Sequence, residues 1–422
     1  MSCEGWAVIR LGDACTKIGS GATPRGGGDV YLTKGPYALI RSQNIYNDGF
    51  RRDGLAYIGE GHATELSNVE VRSGDVLLNI TGDSVARCCQ VDNSVLPARV
   101  NQHVAIVRPD QQKLNPRFLK YFLVSPEMQA KLLSWAGAGG TRNALTKGMI
   151  ESFEIPAPRD VKEQAAIGAV LGTLDEKIAL NRRVNETLES MARTVFKSWF
   201  VDFDPVRAKA EGRDPGLPAI LADLFPNELV KSALGPIPKG WNSTTWGTLA
   251  NLEYGKALSG YDTENGTFPV YGTNGRIGTH TRPLCLHPGV IVGRKGAYRG
   301  IHYCASPFYV IDTAFYVEPN VPLELRWAYY DLLRRDINSM DSGSAIPSTS
   351  REDFYAMQVI VPPVEVQRAY TRLLEPMWLK QQQNWKTSHA LATLREALLP
   401  KLISGNIRLA DADRFLGGML NG

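Results

Sequence analysis

Arginine, asparagine and glutamine residues recur in short, glycine-containing stretches of the first part of the sequence. Arginine can donate two hydrogen bonds to guanine, and an asparagine or glutamine carboxamide can pair with adenine. Serine, threonine, lysine and turn N–H groups suit phosphate oxygens. Side chains of these types could therefore contact the bases or phosphates of a nucleic acid. Their candidate residues are Arg41, Gln43, Asn44, Arg99, Asn101, Gln102, Thr141, Arg142 and Asn143.

A second set of candidates lies in YGTNGR (271–276) and GRKGAYRG (293–300). The second stretch is the stronger candidate, because three cations and one aromatic residue stand among three glycines that let the backbone approach phosphate. The alternative is that all these stretches are solvated turns, in which asparagine and glycine satisfy turn geometry. The candidate residues of this set are Asn274, Arg276, Arg294, Lys295, Tyr298 and Arg299.

Motifs for catalysis are missing from the sequence. The stretch GSGATP (19–24) begins like a dinucleotide loop but has Pro24 in place of the third glycine. The pair Pro362–Pro363 follows Val361, not the Asn or Asp of an amino-methyltransferase loop. The six cysteines are scattered without a metal-ligand spacing. We therefore expect no catalytic residue, no metal and no cofactor bound by this chain, which disfavours a fused methyltransferase or nuclease.

Length and composition indicate a globular protein of two to four domains. The chain has 422 residues, of which 43% are hydrophobic and 21% charged, and its net charge is +4. This mildly basic balance permits nucleic-acid binding through local patches. The sequence contains no transmembrane-length apolar run and no recognisable signal peptide, so we expect no membrane partner and a cytoplasmic location.

The elements that position the first candidates are predicted from short apolar runs. Residues 71–83 and 102–110 each predict a strand, and residues 152–158 predict another that ends in prolines. Residues 115–137 have helical periodicity, which Pro126 divides into two helices. The candidate loops therefore connect the elements of a mixed domain.

A long helix follows this domain, between Val161 and Phe200. Its apolar positions recur with a period of 3.5, which is typical of a helix packed along another helix. A helix of this length spans about 60 Å. The seam residues of this helix are Ile167, Leu171, Leu174, Ile178, Asn181, Asn185 and Leu188.

The chain repeats this arrangement. Residues 139–158 align with residues 343–362, and Gln164 then aligns with Gln367. The repeat predicts a tandem duplication of one unit, a mixed domain followed by a long helix. The seam of the second helix contains Leu374, Met377, Asn384, Leu391 and Leu398.

Both seams turn polar near the middle of their helices. Asn181 and Asn185 interrupt the first seam, and Asn384 and Ser388 interrupt the second. Antiparallel pairing would bring these positions together, and a buried asparagine fixes register. The alternative for two such helices is a general coiled-coil oligomerisation arm.

The sequence thus predicts an α+β fold. Two mixed α/β domains, related by pseudo-twofold symmetry, are separated by two long antiparallel coiled-coil helices. The predicted divisions are 1–158 for the first mixed domain, 159–204 for the first helical region, 205–238 for a proline-containing connector, 239–361 for the second mixed domain, 362–408 for the second helical region and 409–422 for a tail.

The stretch FKSWFVDFDP (196–205) contains four aromatic residues at the end of the first helix. One interpretation is a packed junction between the helix and its neighbouring domain. The other is a docking surface for a partner subunit, in which Trp199 and Phe200 make the contact, because aromatic residues anchor many interfaces.

Over essentially its whole length the chain resembles the specificity subunit of Type I restriction-modification enzymes. The stretch 191–212 (MARTVFKSWFVDFDPVRAKAEG) is similar to the family's central conserved region. The resemblance also covers four shorter types of motif. These are the glycine-rich segment 19–31, the strands 74–82 and 101–109, the start of a second recognition domain at 234–241 and the end of the distal conserved region at 394–409.

The resemblance implies a subunit that recognises double-stranded DNA and has no catalytic activity. Each mixed domain would be a target-recognition domain that reads one half of a bipartite, asymmetric site. The helices would set the spacer and dock two modification subunits, which hold S-adenosylmethionine and methylate adenine. Restriction subunits would add the translocase and nuclease. The alternative is a coiled-coil adaptor that does not bind DNA.

Overall fold

The computed structural model describes residues 5–137, 144–261, 266–340 and 347–408. The chain divides into two compact units. The first unit consists of Met1–Arg183 together with Asn384–Gly422, and the second is Val184–Gln383. Each of the two long helices therefore contributes one part to each unit.

The first unit begins with a mixed domain. Its strands are β1 (Trp6–Arg10), β2 (Cys15–Ser20), β3 (Tyr37–Ile40), β4 (Ile45–Tyr46), β5 (Gly49–Phe50), β6 (Ala56–Ile58), β7 (Glu70–Val71), β8 (Val76–Asn79), β9 (Cys88–Gln90), β10 (Ala98–Val100), β11 (Val104–Pro109) and β12 (Glu154–Pro158). Its helices are α1 (Leu11–Ala14), α2 (Glu60–Glu65), α3 (Pro116–Val124), α4 (Pro126–Gly137) and α5 (Lys147–Glu151). The predicted strands and the helix break at Pro126 are confirmed.

Strand β11 lies inside a four-stranded antiparallel sheet of order β2-β11-β8-β9. Successive side chains of a strand point to opposite faces. Ala105 and Val107 accordingly enter one hydrophobic core, and Val104 and Ile106 enter another. Burial on both faces explains why this segment is an unbroken apolar run in the sequence.

A second sheet of the same unit has the order β6-β3-β10-β7. Its central pair is parallel, with Ala98 opposite Ala38 and Val100 opposite Ile40. Parallel neighbours end at the same edge of a sheet, so the segments that follow β3 and β10 emerge side by side.

Further along the chain are the long helix α6 (Val161–Phe200), the connector and the second mixed domain. The strands are β13 (Leu229–Ser232), β14 (Gly235–Pro238), β15 (Asn242–Thr245), β16 (Ala250–Tyr254), β17 (Phe268–Gly272), β18 (Gly275–His280), β19 (Gly289–Gly293), β20 (Ile301–Cys304), β21 (Tyr309–Val310), β22 (Ala314–Pro319) and β23 (Gln358–Val361). The helices are α7 (Asp204–Ala210), α8 (Ala219–Ala222), α9 (Trp246–Leu249), α10 (Leu325–Leu333), α11 (Arg351–Ala356) and α12 (Val364–Ile403).

The second unit repeats the sheet topology of the first. The order β16-β22-β19-β20 reproduces β2-β11-β8-β9, and the parallel pair β17–β21 reproduces β3–β10. Helix α10 follows β22 as α3 follows β11. The predicted duplication is therefore confirmed at the level of strand order.

The seam positions of both helices are buried or half-buried as predicted. In the first unit, α6 and α12 share a core, and in the second unit Leu374 is buried, whereas Met377 and Leu188 are half-buried. The seam residues of the first unit's core are Ile167, Leu171, Leu174, Ile178, Leu391 and Leu398.

The polar centres of the two seams meet within each unit. In the first unit the Asn181 carboxamide donates to the Ser388 hydroxyl over 3.1 Å and to the Asn384 carbonyl over 3.5 Å. In the second, Asn185 and Gln381 each donate to the other's backbone carbonyl, over 3.3 and 3.0 Å. Since Asn185 lies after Asn181 whereas Gln381 lies before Asn384, the antiparallel pairing is confirmed.

A buried glutamine joins each mixed domain to its helix. Gln164 accepts from the Asn115 N–H over 2.8 Å and donates to the Pro158 carbonyl over 2.8 Å. Gln367 repeats both bonds in the second unit, accepting from the N–H of Glu324 over 3.0 Å and donating 2.9 Å to Pro362. The glutamine alignment found in the sequence therefore marks the same joint in both units.

A carboxylate makes a second joint in the first unit, between α3 and the two long helices. Asp175 of α6 accepts from Lys120 at 2.9 Å, from the Tyr121 hydroxyl at 2.6 Å and from Arg395 of α12 at 2.6 Å. Burial acts to raise the pKa of Asp175, but these three donors, Lys120 foremost, outweigh it and hold the pKa below its ordinary value. Asp175 is therefore ionised and fastens three helices together.

Candidate nucleic-acid interface

The parallel strands β3 and β10 bring two candidate loops of the first unit to one sheet edge. Residues 41–44 follow β3, and residues 101–103 follow β10. The Asn101 N–H donates to the Ile40 carbonyl over 3.0 Å. In open α/β sheets the carboxyl ends of parallel strands are the usual position of ligands. Both loops therefore lie at an edge that suits binding.

Three more segments join these loops through backbone hydrogen bonds. The Ile80 N–H donates to the His103 backbone carbonyl over 3.0 Å, and the Leu145 N–H donates to the Ile80 carbonyl over 2.8 Å. The Gly21 N–H, just after β2, donates to Val104 over 2.8 Å. We call the assembly the first loop cluster; it comprises residues 21–23, 41–44, 80–84, 101–103 and 144–145.

The second unit builds the same assembly. The backbone N–H of Arg294 donates to the Thr313 carbonyl over 2.9 Å, and the backbone N–H of Thr349 donates to the Arg294 carbonyl over 2.8 Å. Arg294 thus occupies the position that Ile80 has in the first unit. The second loop cluster comprises residues 255–257, 272–276, 293–300, 311–313 and 347–349.

The loop before β22 matches the loop before β11 residue by residue. The Ile311 N–H donates to the Tyr271 carbonyl over 2.9 Å, as Asn101 does to the residue that ends β3. The Ala314 N–H donates to Ile311 over 3.1 Å, as Val104 does to Asn101. Asp312 in the second cluster is therefore the counterpart of Gln102 in the first.

Each cluster depends on a glycine where two loops approach closely. A Cβ atom on Gly21 would lie 2.1 Å from the Val100 carbonyl oxygen, and one on Gly255 would lie 2.0 Å from that of Ile311. No other residue fits without separating the loops. These two glycines are equivalent in the repeat, since the N–H of each donates to the matching residue of the central strand, Val104 or Ala314.

Three candidates of the first unit are buried and are used within the fold. The Asn44 carboxamide accepts from the Arg41 N–H and donates to the carbonyls of Arg51 and Asp53, so it shapes its own loop. The Arg99 guanidinium donates to the carbonyls of Ala63 and Ala98. Asn101 accepts from the His103 N–H. The prediction that these side chains contact DNA does not agree with their burial.

The remaining candidates of the first unit are more accessible. Arg41 is half-buried and Gln43 exposed, and both donate to the Gly54 carbonyl, over 2.6 and 3.1 Å. Gln102 is exposed at the tip of the loop between β10 and β11. Thr141, Arg142 and Asn143 lie outside the described residues.

In the second unit, Arg299 must be reassigned in the same way as Asn44. Its side chain is buried and donates to four carbonyls, so it fastens the loop to the rest of the domain. These carbonyls belong to Gly296, Ile337, Asn338 and Met340. Arg294 is half-buried, stacks over Tyr254 and donates to the Asp312 carbonyl.

The other candidates of the second cluster are at the surface. Tyr298 is 81% exposed, Asn274 is exposed in the turn between β17 and β18, and Arg276 is exposed at the start of β18. Lys295 is half-buried with its ammonium 4.0 Å from the Asp312 carboxylate. The second loop cluster therefore displays cations, an amide and an aromatic ring together.

Sequence reasoning missed the side chains that surround Gln102. Its carboxamide contacts the Thr23 hydroxyl and lies 3.1 Å from Nε2 of His103, and Nδ1 of His103 lies 2.6 Å from the Thr81 hydroxyl. The adjacency of Gln102 and His103 was visible in the sequence. Thr23 and Thr81 were not identifiable, because only the fold brings their loops together.

The aromatic pair Trp199 and Phe200 lies in the core of the second unit. Both are nearly inaccessible, and Trp199 packs edge-on against Phe225 at 5.0 Å between ring centroids. Phe200 packs against Tyr370 at 5.3 Å. The packed-junction interpretation fits this burial, and direct docking of a partner by these two residues does not.

The described residues show neither a metal-ligand cluster nor a membrane-spanning helix. Within the described ranges, no group of three or more His, Cys, Asp or Glu side chains is placed to hold a metal ion. No described helix is both long and apolar enough to cross a membrane.

Comparison with known proteins agrees with the architecture. Residues 3–190 match the family model of the Type I restriction modification DNA specificity domain. The Type I restriction enzyme HindI specificity subunit of Haemophilus influenzae is 23% identical, over 81% of this chain and 90% of its own. The MjaIX specificity subunit of Methanocaldococcus jannaschii is also 23% identical, over 96% and 94%.

A solved structure shows the same fold. The crystal structure of the Type I restriction-modification S subunit from M. genitalium covers 94% of this chain and 96% of its own, with a TM-score of 0.61 and 18% identity. The duplicated topology and the paired helices agree with these comparisons. Residues 3–190 match the Type I restriction modification DNA specificity domain, and the chain as a whole is similar to specificity subunits of Type I restriction enzymes.

Proposed function

We propose that the chain is the DNA-recognition subunit of a Type I restriction-modification complex. Each unit reads one half of a bipartite, asymmetric site in double-stranded DNA. The observation that carries this proposal is the loop cluster that both units build with the same backbone hydrogen bonds. A shared scaffold with different side chains is what two readers of different half-sites require.

The side chains at the two clusters support this role. Arg276, Lys295 and Tyr298 in the second cluster offer two cations and an aromatic hydroxyl. Gln43 and Gln102 in the first cluster offer carboxamides. Cations and turn N–H groups position the phosphate backbone, and amides and guanidinium groups read base edges.

The long helices set the spacer between the half-sites. Each has 40 residues and is about 60 Å long, and one duplex turn is about 34–36 Å. A heptad inserted beside Glu186 in α6, with a matching heptad in α12, adds about 10 Å. The spacer then grows by about three base pairs at 3.4 Å per pair, and the half-sites stay the same. An unchanged spacer would refute this role of the helices.

The helices also dock two modification subunits, and restriction subunits complete the complex. The catalytic residues and the S-adenosylmethionine site belong to the modification subunits, so this chain is a non-catalytic component. Support for docking comes from α12, where Trp385 is 72% exposed and Leu379 is 59% exposed. Exposed tryptophan is a frequent centre of binding energy in interfaces.

Mapping methylated adenines by long-read sequencing tests the proposal directly. Cells express the chain together with its modification subunit, and a control culture expresses the modification subunit alone. The expected result is a single bipartite, asymmetric motif that depends on this chain. Absence of methylation, together with no gel shift of DNA by the assembled complex, would favour the coiled-coil adaptor instead.

A further inference from the structure

We propose that Gln102 reads an adenine in the half-site bound by the first unit, with its carboxamide held in place by Thr23 and His103. The inference deepens the proposed function and rests on it. It concerns one specificity-determining residue and two positioning residues.

Among the described residues of the first loop cluster, Gln102 is the exposed carboxamide whose oxygen and nitrogen both contact neighbouring side chains. Asn44 and Asn101 are buried and satisfy backbone groups of their own loops. Gln43 is exposed as well, but the hydrogen bond of its amide is to the Gly54 carbonyl and holds only its nitrogen. Gln102 is exposed, and its partners are side chains on both sides of it.

The partners of Gln102 hold both ends of its carboxamide. An amide oxygen only accepts, so the Thr23 hydroxyl donates to Oε1. An amide nitrogen only donates, so Nε2 of Gln102 donates to Nε2 of His103 over 3.1 Å. The imidazole proton then lies on Nδ1, which donates to the Thr81 hydroxyl over 2.6 Å.

A reversed carboxamide would require the Thr23 hydroxyl to accept and the imidazole proton to lie on Nε2 of His103. In either orientation both ends of the amide keep a partner, and one N–H and one lone pair stay unused. The chain of hydrogen bonds from Thr23 to Thr81 therefore holds the carboxamide in place before any DNA is bound. Such preorganisation reduces the ordering that binding requires.

What remains free on Gln102 matches adenine. A carboxamide has two N–H donors and two lone pairs on its oxygen. One of each is used by His103 and Thr23, so one N–H and one lone pair remain on the exposed end. Adenine presents the complementary pair in the major groove, the N7 acceptor and the N6 amino donor, whereas guanine presents two acceptors.

The equivalent position of the second unit carries a different pattern. Asp312 occupies the same place in the loop between the parallel strand and the central antiparallel strand. Its carboxylate, 50% exposed, offers acceptors only. The two units thus present different hydrogen-bonding groups at one structural position, which suits an asymmetric site.

The test uses the full chain with its modification subunits and measures methylation of duplexes in which each position of the mapped half-sites is changed in turn. Gln102→Glu keeps the size of the side chain but removes its donors. The expected result is a loss of about 10- to 100-fold in methylation of the cognate duplex. The change in base preference is confined to one A·T pair of the first half-site. The second half-site serves as an internal measure of folding, because its base preferences stay unchanged.

A positioning variant and a control separate specificity from charge and folding. His103→Phe removes the hydrogen-bond partner that holds the amide, so discrimination at the same A·T pair relaxes while the other positions keep theirs. Gln112→Glu makes the same chemical change on an exposed residue beyond the other end of β11 and is expected to leave the motif unchanged.

Three results would overturn the inference. One is a uniform loss at every position with Gln102→Glu, and another is sensitivity confined to a G·C pair. The third is an unchanged motif with Gln102→Glu, which leaves the proposed function intact because the wild-type motif is still bipartite. Failure of the wild-type chain to direct any bipartite motif would instead overturn both the proposed function and this inference.

Discussion

Replacing Asp175 with asparagine should loosen the attachment of α3 to the long helices. The carboxylate accepts from Lys120, Tyr121 and Arg395, and its side chain is 14% exposed. Asparagine keeps the shape but removes the charge. Lys120, whose side chain is 9% exposed, is then left as a buried cation without its counter-ion.

The expected loss of free energy follows from the burial of the side chains that contact Asp175. Removing one partner of a buried ion pair costs about 3–5 kcal/mol. The Arg395 side chain is 19% exposed, and solvent screening there brings the expectation to about 3 kcal/mol. Since 1.4 kcal/mol corresponds to a factor of ten, the equilibrium for opening α3 should rise about 100-fold.

Native-state hydrogen exchange of the α3 amides is the assay, because it reports local opening without requiring two-state unfolding of a chain with two units. The matched control is Glu176→Gln, which breaks the neighbouring ion pair with Arg117. That pair has side chains 64% and 46% exposed and should contribute about 0.5 kcal/mol.

Equal protection of α3 in Asp175→Asn and Glu176→Gln would refute the reasoning. A second check adds Lys120→Met to Asp175→Asn. If the cost comes from an unpaired buried cation, the double variant recovers part of the lost protection. If the two changes are simply additive, the charge argument is wrong.

Three further predictions concern other parts of the same framework. The pKa of Asp175 is lowered in the folded chain, so its stabilisation is fully present above the ordinary carboxyl pKa of about 4 and is lost as pH falls through the lowered value. The melting-temperature difference between wild type and Asp175→Asn should therefore shrink as the pH falls below that ordinary value. Gln367→Ala leaves a buried N–H and a buried carbonyl unpaired, so it should lower the free energy of unfolding of the second unit, measured in urea, by about 1–3 kcal/mol. The control Gln382→Ala, at an exposed position, should change it by less than about 0.5 kcal/mol. Trp199→Ala should lower the free energy of unfolding by about 3–5 kcal/mol in the same assay, because Trp199 is buried. Trp385→Ala, at an exposed position, should leave stability unchanged but weaken co-purification of the modification subunit. Intact binding by Trp385→Ala would exclude this docking site.

The long helices and the repeated domains were predictable, because they produce periodicity and repetition in the sequence. The seam of period 3.5 predicted helix α6, and the polar interruption at Asn181 and Asn185 predicted its antiparallel partner. The alignment of Gln164 with Gln367 marked a joint that the structure builds twice. Such features survive in sequence because each depends on local spacing or on direct similarity.

The candidate site was predictable only in part, since residue type does not reveal the direction of a side chain. Arg99 and Arg299 are of the type that reads guanine, yet the fold uses them to satisfy backbone carbonyls. Gln102 has no stronger signal in the sequence than Asn101 beside it. In the structure the Asn101 side chain is buried within the loop, whereas the Gln102 side chain is exposed.

Trp199 shows the same ambiguity for hydrophobic residues. Aromatic residues are enriched both in cores and at interfaces, so a cluster of them at a helix end fits either role. The connector decides the matter in the structure, because Phe225 lies beyond the helix and packs against Trp199. That contact spans a stretch whose prolines gave no indication that it folds back.

Under the proposed function, the construction of each loop cluster explains how one scaffold can serve two DNA sequences. Many of the bonds that assemble a cluster join backbone groups, such as the Ile80 N–H to the His103 carbonyl and the Arg294 N–H to the Thr313 carbonyl. Buried side chains such as Asn44 and Arg299, and the glycine at the close approach, complete the scaffold. The side chains of Gln102 and its counterpart Asp312 take no part in these backbone bonds, so a change there is expected to alter which base is read while the two units keep their shared architecture.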